Sequence, residues 1–342
     1  MSTMKNRHFV ATNHFLVVLL LVALFGGCGV EPTEDFTTYT YKKVGALELK
    51  ADVYGANAES QDSTTDVYGS DKKILKPVIL WVHGGALIFG NRGEVLDDQL
   101  QAYLDSGYIV VSIDYRLAPE TKLPEIVADL YDSMTWISEK GATLFGGDPE
   151  RLAVVGRSAG GYLTLMAGLH PTVRPKALVS YYGYGDIVGD WYNTPDAHAR
   201  EKRPISEREA RAAVGTTPVV NDWSMNERGL FYLYTRQNGI WPMEVTGRDP
   251  RVDPEFFVPY CPVRNITKNY PATFLAHGGF DKDVPHTQSV MMADTLRRHR
   301  VTSELVTVRR APHGFDSLNG GLNNPTNNRV FRRALAFLAK QF

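Results

Sequence analysis

From residue 78 the chain alternates between short unbroken apolar runs and longer stretches with helical spacing. Apolar runs at 78–82, 108–113, 152–155 and 177–181 are separated by helical patterns over 95–104, 124–139 and 159–169. A strand that is apolar at every position is buried on both faces, and one helix between consecutive strands is the usual crossover of a parallel sheet. The pattern predicts an α/β fold: a mostly parallel central sheet flanked by helices. Ligands of such sheets gather at the carboxyl ends of the strands. Ahead of the sheet, 38–44 and 46–54 alternate in part between apolar and polar residues across Gly45, which predicts an opening hairpin. The stretch 55–73 is rich in Ser, Asp, Thr and Gly without a period and reads as an exposed connection.

The rhythm breaks over 182–270. This segment holds three of the five tryptophans (Trp191, Trp223 and Trp241) among many tyrosines and several prolines, and the buried-strand pattern resumes at 272–276. It reads as a cap inserted into a single domain over 36–342. Its aromatics build a small core of their own, and its position sets it over the strand ends where a substrate would lie. The chain closes with a helix over 288–300, a strand over 303–308 and a helix over 328–340.

Composition is ordinary: 342 residues, 43% hydrophobic and 22% charged, suit one large α/β domain. The formal net charge is −1 with both signs interspersed, and Arg297, Arg298 and Arg300 form one solvated helix end, so no nucleic-acid partner is expected. Nine histidines and two cysteines show no His-Glu-x-x-His or Cys-x-x-Cys spacing, so neither a metal nor another cofactor is expected. The glycines at 183, 185 and 189 have the wrong spacing for a dinucleotide site and open the inserted segment, where they serve as turns.

The first residues have the order of a signal peptide. Lys5 and Arg7 precede an apolar run at 15–25, and Gly26 and Gly27 lead into Cys28. The run is too short to span a bilayer, so export and removal of 1–27 is expected. Cys28 after small residues resembles the bacterial lipoprotein signal, although Leu24 stands one place early and Phe25 takes the usual aliphatic position. That resemblance implies acylation of Cys28, a tether over 28–35 and anchoring in a cell envelope. An ordinary cleaved signal would give a secreted or periplasmic protein. Cys261 is then unpaired, a Cys28–Cys261 disulfide being the alternative.

Candidate chemistry begins at Ser158. The run 152–155 leads into Gly156-Arg157-Ser158-Ala159-Gly160-Gly161 and then a helix, the context a Gly-x-Ser-x-Gly nucleophile elbow requires. A serine on so tight a turn is strained, and side chains at Gly156 and Gly160 would collide with adjoining elements. The run 78–82 ends in His83-Gly84-Gly85-Ala86, where glycine lets backbone N–H groups approach a developing oxyanion. His313, in Ala-Pro-His-Gly just beyond the last strand, can present its imidazole at the same strand ends. A carboxylate lies between them in sequence, at Asp281 or Asp283, after the resumed strand and His277. Ser, Asp, His is the chain order of α/β-hydrolases.

These motifs, with Asp114-Tyr115-Arg116-Leu117-Ala118-Pro119-Glu120, resemble the hormone-sensitive-lipase-like esterases, while the Asp281 segment with Val284-Pro285 resembles prolyl-oligopeptidase-type hydrolases. The resemblance covers 77–342. It implies the α/β-hydrolase fold, a Ser158–Asp281–His313 triad, an oxyanion hole from the N–H groups of Gly85, Ala86 and Ala159, and a loop shaped by His83. Ala86 stands where a third glycine is usual and Arg157 where aspartate is usual. Asp114, Arg116 and Glu120 are expected to be structural. In the related hydrolases two residues separate the acid from Val-Pro, which selects Asp281 and leaves Asp283 to cap the turn. The expected reaction is hydrolysis of small-molecule carboxylic esters, with short acyl groups preferred. Peptidase or amidase activity is the alternative, and a catalytically inactive surface binding module is the remote one.

Overall fold

The computed structural model describes residues 35–56, 63–65, 71–220 and 225–342. The expected signal peptide, Cys28 and all of the tether except Asp35 lie outside the described residues, as does Trp223. No helix among the described residues is long and apolar enough to cross a membrane.

Phe36–Val44 (β1) and Leu47–Tyr54 (β2) form the opening hairpin. Within the stretch expected to be an irregular connection, Ser63–Thr65 (β3) and Asp71–Lys73 (β4) pair antiparallel as a separate ribbon. Three residues per strand are too few to show a period. Then come Lys76–Val82 (β5), Asp97–Asp105 (α1), Ile109–Ile113 (β6), Leu123–Leu144 (α2), Gly147–Arg157 (β7), Ala159–Ala167 (α3) and Ala177–Tyr181 (β8). β7 starts five positions before the apolar run, because Asp148-Pro149-Glu150 gives no hydrophobic signal. After the inserted segment follow Ala272–Gly278, Thr287–Arg298, Ser303–Val308 and Pro325–Ala339.

The described part of the inserted segment contributes seven short or medium α-helices: Asp190–Asn193 (α4), Ala197–Arg200 (α5), Glu207–Ala212 (α6), Met225–Asn238 (α7), Trp241–Thr246 (α8), Pro254–Phe257 (α9) and Pro262–Asn265 (α10). The four elements after them are therefore β9, α11, β10 and α12. The main sheet has the order β1-β2-β6-β5-β7-β8-β9-β10, antiparallel over β1-β2-β6 and parallel from β6 to β10. Every residue of β6 and β8 is buried, which is why their sequences read as unbroken apolar runs. Along β5, Val78, Leu80 and Val82 join one core layer, with Leu130 and Met134 of α2 and Leu163 of α3. Ile79 and Trp81 point the other way, to Leu100 and Tyr103 of α1 and Phe331 and Phe337 of α12. This two-residue period puts a layer of helices on each face.

The inserted segment is fastened over the carboxyl ends of the parallel strands. Trp241 Nε1 donates to Ala86 O at 3.1 Å, Tyr162 Oη to Tyr260 O at 2.9 Å, and Arg228 to Ile88 O at 2.6 Å and Ala118 O at 2.7 Å. Its core is an aromatic stack in which Tyr192 lies 3.6 Å from Trp191 and 4.1 Å from Trp241, ring centre to ring centre. The expected structural roles of the Asp114–Glu120 segment hold. Asp114 pairs with Arg92 at 2.5 Å, Arg116 with Asp129 at 2.7 Å, and Glu120 with Arg228 at 2.7 Å.

Candidate active site

Ser158 sits between β7 and α3 with φ +54° and ψ −119°, a conformation that costs a non-glycine residue about 1–3 kcal/mol. The turn is closed from both sides: a Cβ at Gly156 would lie 2.3 Å from Gly160 O, and one at Gly160 would lie 2.1 Å from Val82 O. The serine N–H donates to Tyr181 O at 2.9 Å, which ties the elbow to β8.

His313 reaches the serine from the loop after β10. Its Nδ1 lies 2.7 Å from Asp281 Oδ2 and its Nε2 lies 2.9 Å from Ser158 Oγ. An ionised carboxylate only accepts, so Nδ1 carries the proton and Nε2 accepts from the hydroxyl. Burial alone would lower the His313 pKa, but the charge and hydrogen bond of Asp281, helped by the charges of Asp283 and Asp316, raise it above its ordinary value. Burial would likewise raise Asp281, and the charges and hydrogen bonds of His313 and His277 overcome it, holding this carboxyl well below the usual carboxylate range.

The Asp281 carboxylate has four donors. Oδ2 faces His313 Nδ1 and also His277 Nε2 at 3.2 Å, while Oδ1 accepts the N–H groups of Asp283 and Val284, both at 2.9 Å. The turn before the helix is therefore capped by Asp281, and the expectation that Asp283 caps it is wrong. A carboxylate whose Oδ2 is held by histidines has Oδ1 aimed at the N–H groups two and three residues on, the usual Asx geometry. Asp283 points instead to the inserted segment, where its Oδ1 accepts from Tyr232 Oη at 2.7 Å and Arg236 Nη1 at 3.1 Å.

The loop after β5 completes the arrangement. Gly85 has φ +92°, and a Cβ there would lie 1.9 Å from Phe89 O, so only glycine fits. Ala86 follows at φ +55°. Among the described residues no hydrogen bond engages the N–H groups of Gly85, Ala86 or Ala159. Gly84 passes close to the elbow, where a Cβ would lie 3.1 Å from Arg157 O. His83 lies beneath, stacked on Tyr115 at 4.0 Å, and burial pushes its pKa down to about 3, so it is neutral. Tyr115 Oη donates to both His83 O and Gly84 O, at 3.1 and 3.0 Å, which fixes the loop.

Four supporting residues had no role in the sequence reading. His277 accepts from Ser289 Oγ at 2.7 Å and donates to Val284 O at 3.0 Å, and thus braces Asp281. Its signal was a polar residue closing the apolar run 272–276. Tyr182 sets its ring 4.6 Å from the His313 ring and donates to Asp316 Oδ1 at 2.5 Å. Arg157, buried beside the nucleophile, pairs with Asp316 at 3.6 Å. These contacts leave no local mark in the sequence. Cys261 is a buried free thiol whose pKa burial pushes up to about 12. The described residues contain no cluster of metal-ligating groups.

Known proteins share this architecture. An α/β hydrolase superfamily protein from Enterococcus faecalis superposes with a TM-score of 0.64 at 22% identity, covering 90% of this chain and 99% of that one. Among curated proteins, Esterase LipC of Mycobacterium tuberculosis is 29% identical over 74% of this chain and 57% of its own length. The non-reducing polyketide synthase ausA of Aspergillus calidoustus is 25% identical over 82% of this chain. The chain spans only 13% of that synthase. The BD-FAE family profile matches residues 65–296, more than half of the chain, with the His83, Ser158 and Asp281 segments inside it. The chain is thus a member of the BD-FAE family, built on the α/β-hydrolase fold.

Proposed function

We propose that this protein is a serine carboxylic ester hydrolase that works through an acyl-enzyme, with Ser158 as nucleophile, His313 as general base and Asp281 as its orienting acid. The observation that carries the reading is the continuous relay from Asp281 through His313 to Ser158, at 2.7 and 2.9 Å. His313 Nε2 takes the serine proton as Oγ attacks the carbonyl carbon, and Asp281 stabilises the imidazolium that results. The N–H groups of Gly85, Ala86 and Ala159 receive the oxyanion, their lack of other partners among the described residues fitting that use. His313 returns the proton to the leaving alcohol, and water then releases the acid by the same steps in reverse. No cofactor takes part. The similarity to Esterase LipC supports an ester over an amide.

The test is a panel of aryl esters of increasing acyl length, sugar acetates, feruloyl esters and aminoacyl anilides. Acetyl and butyryl esters are expected to exceed dodecanoyl esters at least about tenfold in kcat/KM. The side chain of Ala86 narrows the oxyanion loop, and Trp241, held to Ala86 O, brings the rigid aromatic stack against it. Faster turnover of long-chain esters would refute the short-acyl preference, and faster turnover of anilides would make the protein an amidase.

We also propose export and lipid anchoring through Cys28, on the order of charged, apolar and small residues before it. Cys28→Ser is expected to move the protein from the membrane to the soluble fraction, because stable attachment needs acyl chains once residues 1–27 are removed. Unchanged fractionation would reject the anchor.

A further inference from the structure

Asp283 has a carboxylate oxygen that the fold leaves unused. Its Oδ1 accepts from Tyr232 and Arg236, and its main-chain oxygen accepts from Arg236 Nη1 at 3.0 Å. Arg236 is itself fixed by Asp196 at 3.0 Å and by the faces of Trp191, Tyr192 and Tyr232. The Asp283 carboxylate is therefore held in one orientation. Among the described residues no hydrogen bond reaches its Oδ2, which lies 3.8 Å from His313 Nε2, and 38% of the side chain is exposed, so solvent has access. Nε2 is the nitrogen that faces Ser158, and whatever exchanges a proton with it passes within reach of Asp283.

We propose that Asp283 Oδ2 orients the hydrolytic water, which makes Asp283 a catalytic residue that favours water over alcohols as the acyl acceptor. The inference rests on the acyl-enzyme reading above. An oxygen making hydrogen bonds of about 2.8 Å to both groups across the 3.8 Å gap sees them at about 85°, near the angle between a water molecule's two protons. Water can give one proton to Nε2 and direct the other to Oδ2. An alcohol has only the proton that His313 must take, and it would set an alkyl group against a charged oxygen.

In deacylation the water oxygen bonds to the acyl carbon, the carbonyl electron pair moves onto the oxygen facing Gly85, Ala86 and Ala159, and His313 takes one water proton. The pair then re-forms the carbonyl, the bond from carbon to Ser158 Oγ breaks, and the His313 proton passes to Oγ. The second water proton stays on the product acid, donated to Asp283 Oδ2, until it dissociates to solvent. Asp283 accepts a hydrogen bond throughout and gains no proton.

The experiment follows p-nitrophenyl acetate turnover by the full chain in stopped flow, with and without methanol, and measures acetate against methyl acetate. Asp283→Asn is expected to slow deacylation at least about tenfold more than acylation, so that a burst of nitrophenol appears, and to raise the methanol-to-water partition about tenfold. Tyr232→Phe loosens the same docking contact while leaving Oδ2 in place, and its partition is expected to stay within about twofold of wild type. An unchanged partition in Asp283→Asn, or an equal rise in Tyr232→Phe, would overturn the proposal. Should Asp283→Asn fail to fold, Asp283→Ser is read in the same way. Absence of an acyl-enzyme in the wild type would strike the proposed function instead, so the two failures are distinct.

Discussion

Ser158→Ala is expected to retain less than about one thousandth of the wild-type esterase rate while melting as wild type does. The loss is large because the nucleophile has no substitute: the methyl group cannot bond to carbon, and His313 has no hydroxyl proton to take. What survives is the contribution of substrate binding and of the N–H groups of Gly85, Ala86 and Ala159 acting on direct attack by water. The fold should not suffer, because alanine tolerates the elbow's φ of +54° no worse than serine and, among the described residues, the serine side chain bonds only to His313. The check is steady-state hydrolysis of an acetyl ester together with labelling by a fluorophosphonate, which should mark the wild type and spare the variant. Activity within tenfold of wild type would end the assignment of Ser158.

Asp281→Asn is expected to lower the rate by about four orders of magnitude, or about 5.5 kcal/mol of barrier, with the protein still folded. The asparagine carbonyl can keep the two turn N–H groups that Oδ1 accepts. Its amide nitrogen then faces the N–H groups of His313 and His277 that share Oδ2. Two donors cannot bond, so His313 moves its proton to Nε2, where it confronts Ser158 and cannot act as base. The pH profile tests the same assignment. His313 must be neutral to accept a proton, and in the wild type its pKa is raised, so activity falls with acid at a higher pH than a free imidazole would give. With the Asp281 charge gone, the residual activity of the variant should hold to lower pH. Retained turnover in Asp281→Asn, or an acid limb moved upward, would contradict the role.

How far the sequence revealed this molecule depended on whether a requirement was local. β6 and β8 were legible because burial on both faces forces every residue to be apolar. The elbow was legible because the glycine demand at 156 and 160 arises within the turn and from one neighbouring strand. The first half of β7 was hidden because its residues are polar: the register with β5 slips between Gly147 and Leu152, and Arg151 bonds through its side chain to Asp148 and to Leu75 O. Asp283 was misread because its fate is decided by Tyr232 and Arg236, which lie 51 and 47 residues away in the inserted segment. The bond from Tyr182 to Asp316 closes across 134 residues, and no spacing rule anticipates such a contact.

The order of the strands has a further bearing on durability. Among the described residues β10 borders the sheet and is laddered to β9 alone, and the loop that carries His313 departs from it. Along β10 only two of six positions are buried, and a pair of side chains, Arg333 of α12 and Glu304, braces it from outside at 2.7 Å. Peeling a border strand costs less than unfolding the whole domain. Heat or denaturant should therefore withdraw the imidazole while β5 through β8 remain intact. Stiffening the sheet's margin is therefore expected to prolong turnover without touching the nucleophile or the core beneath it.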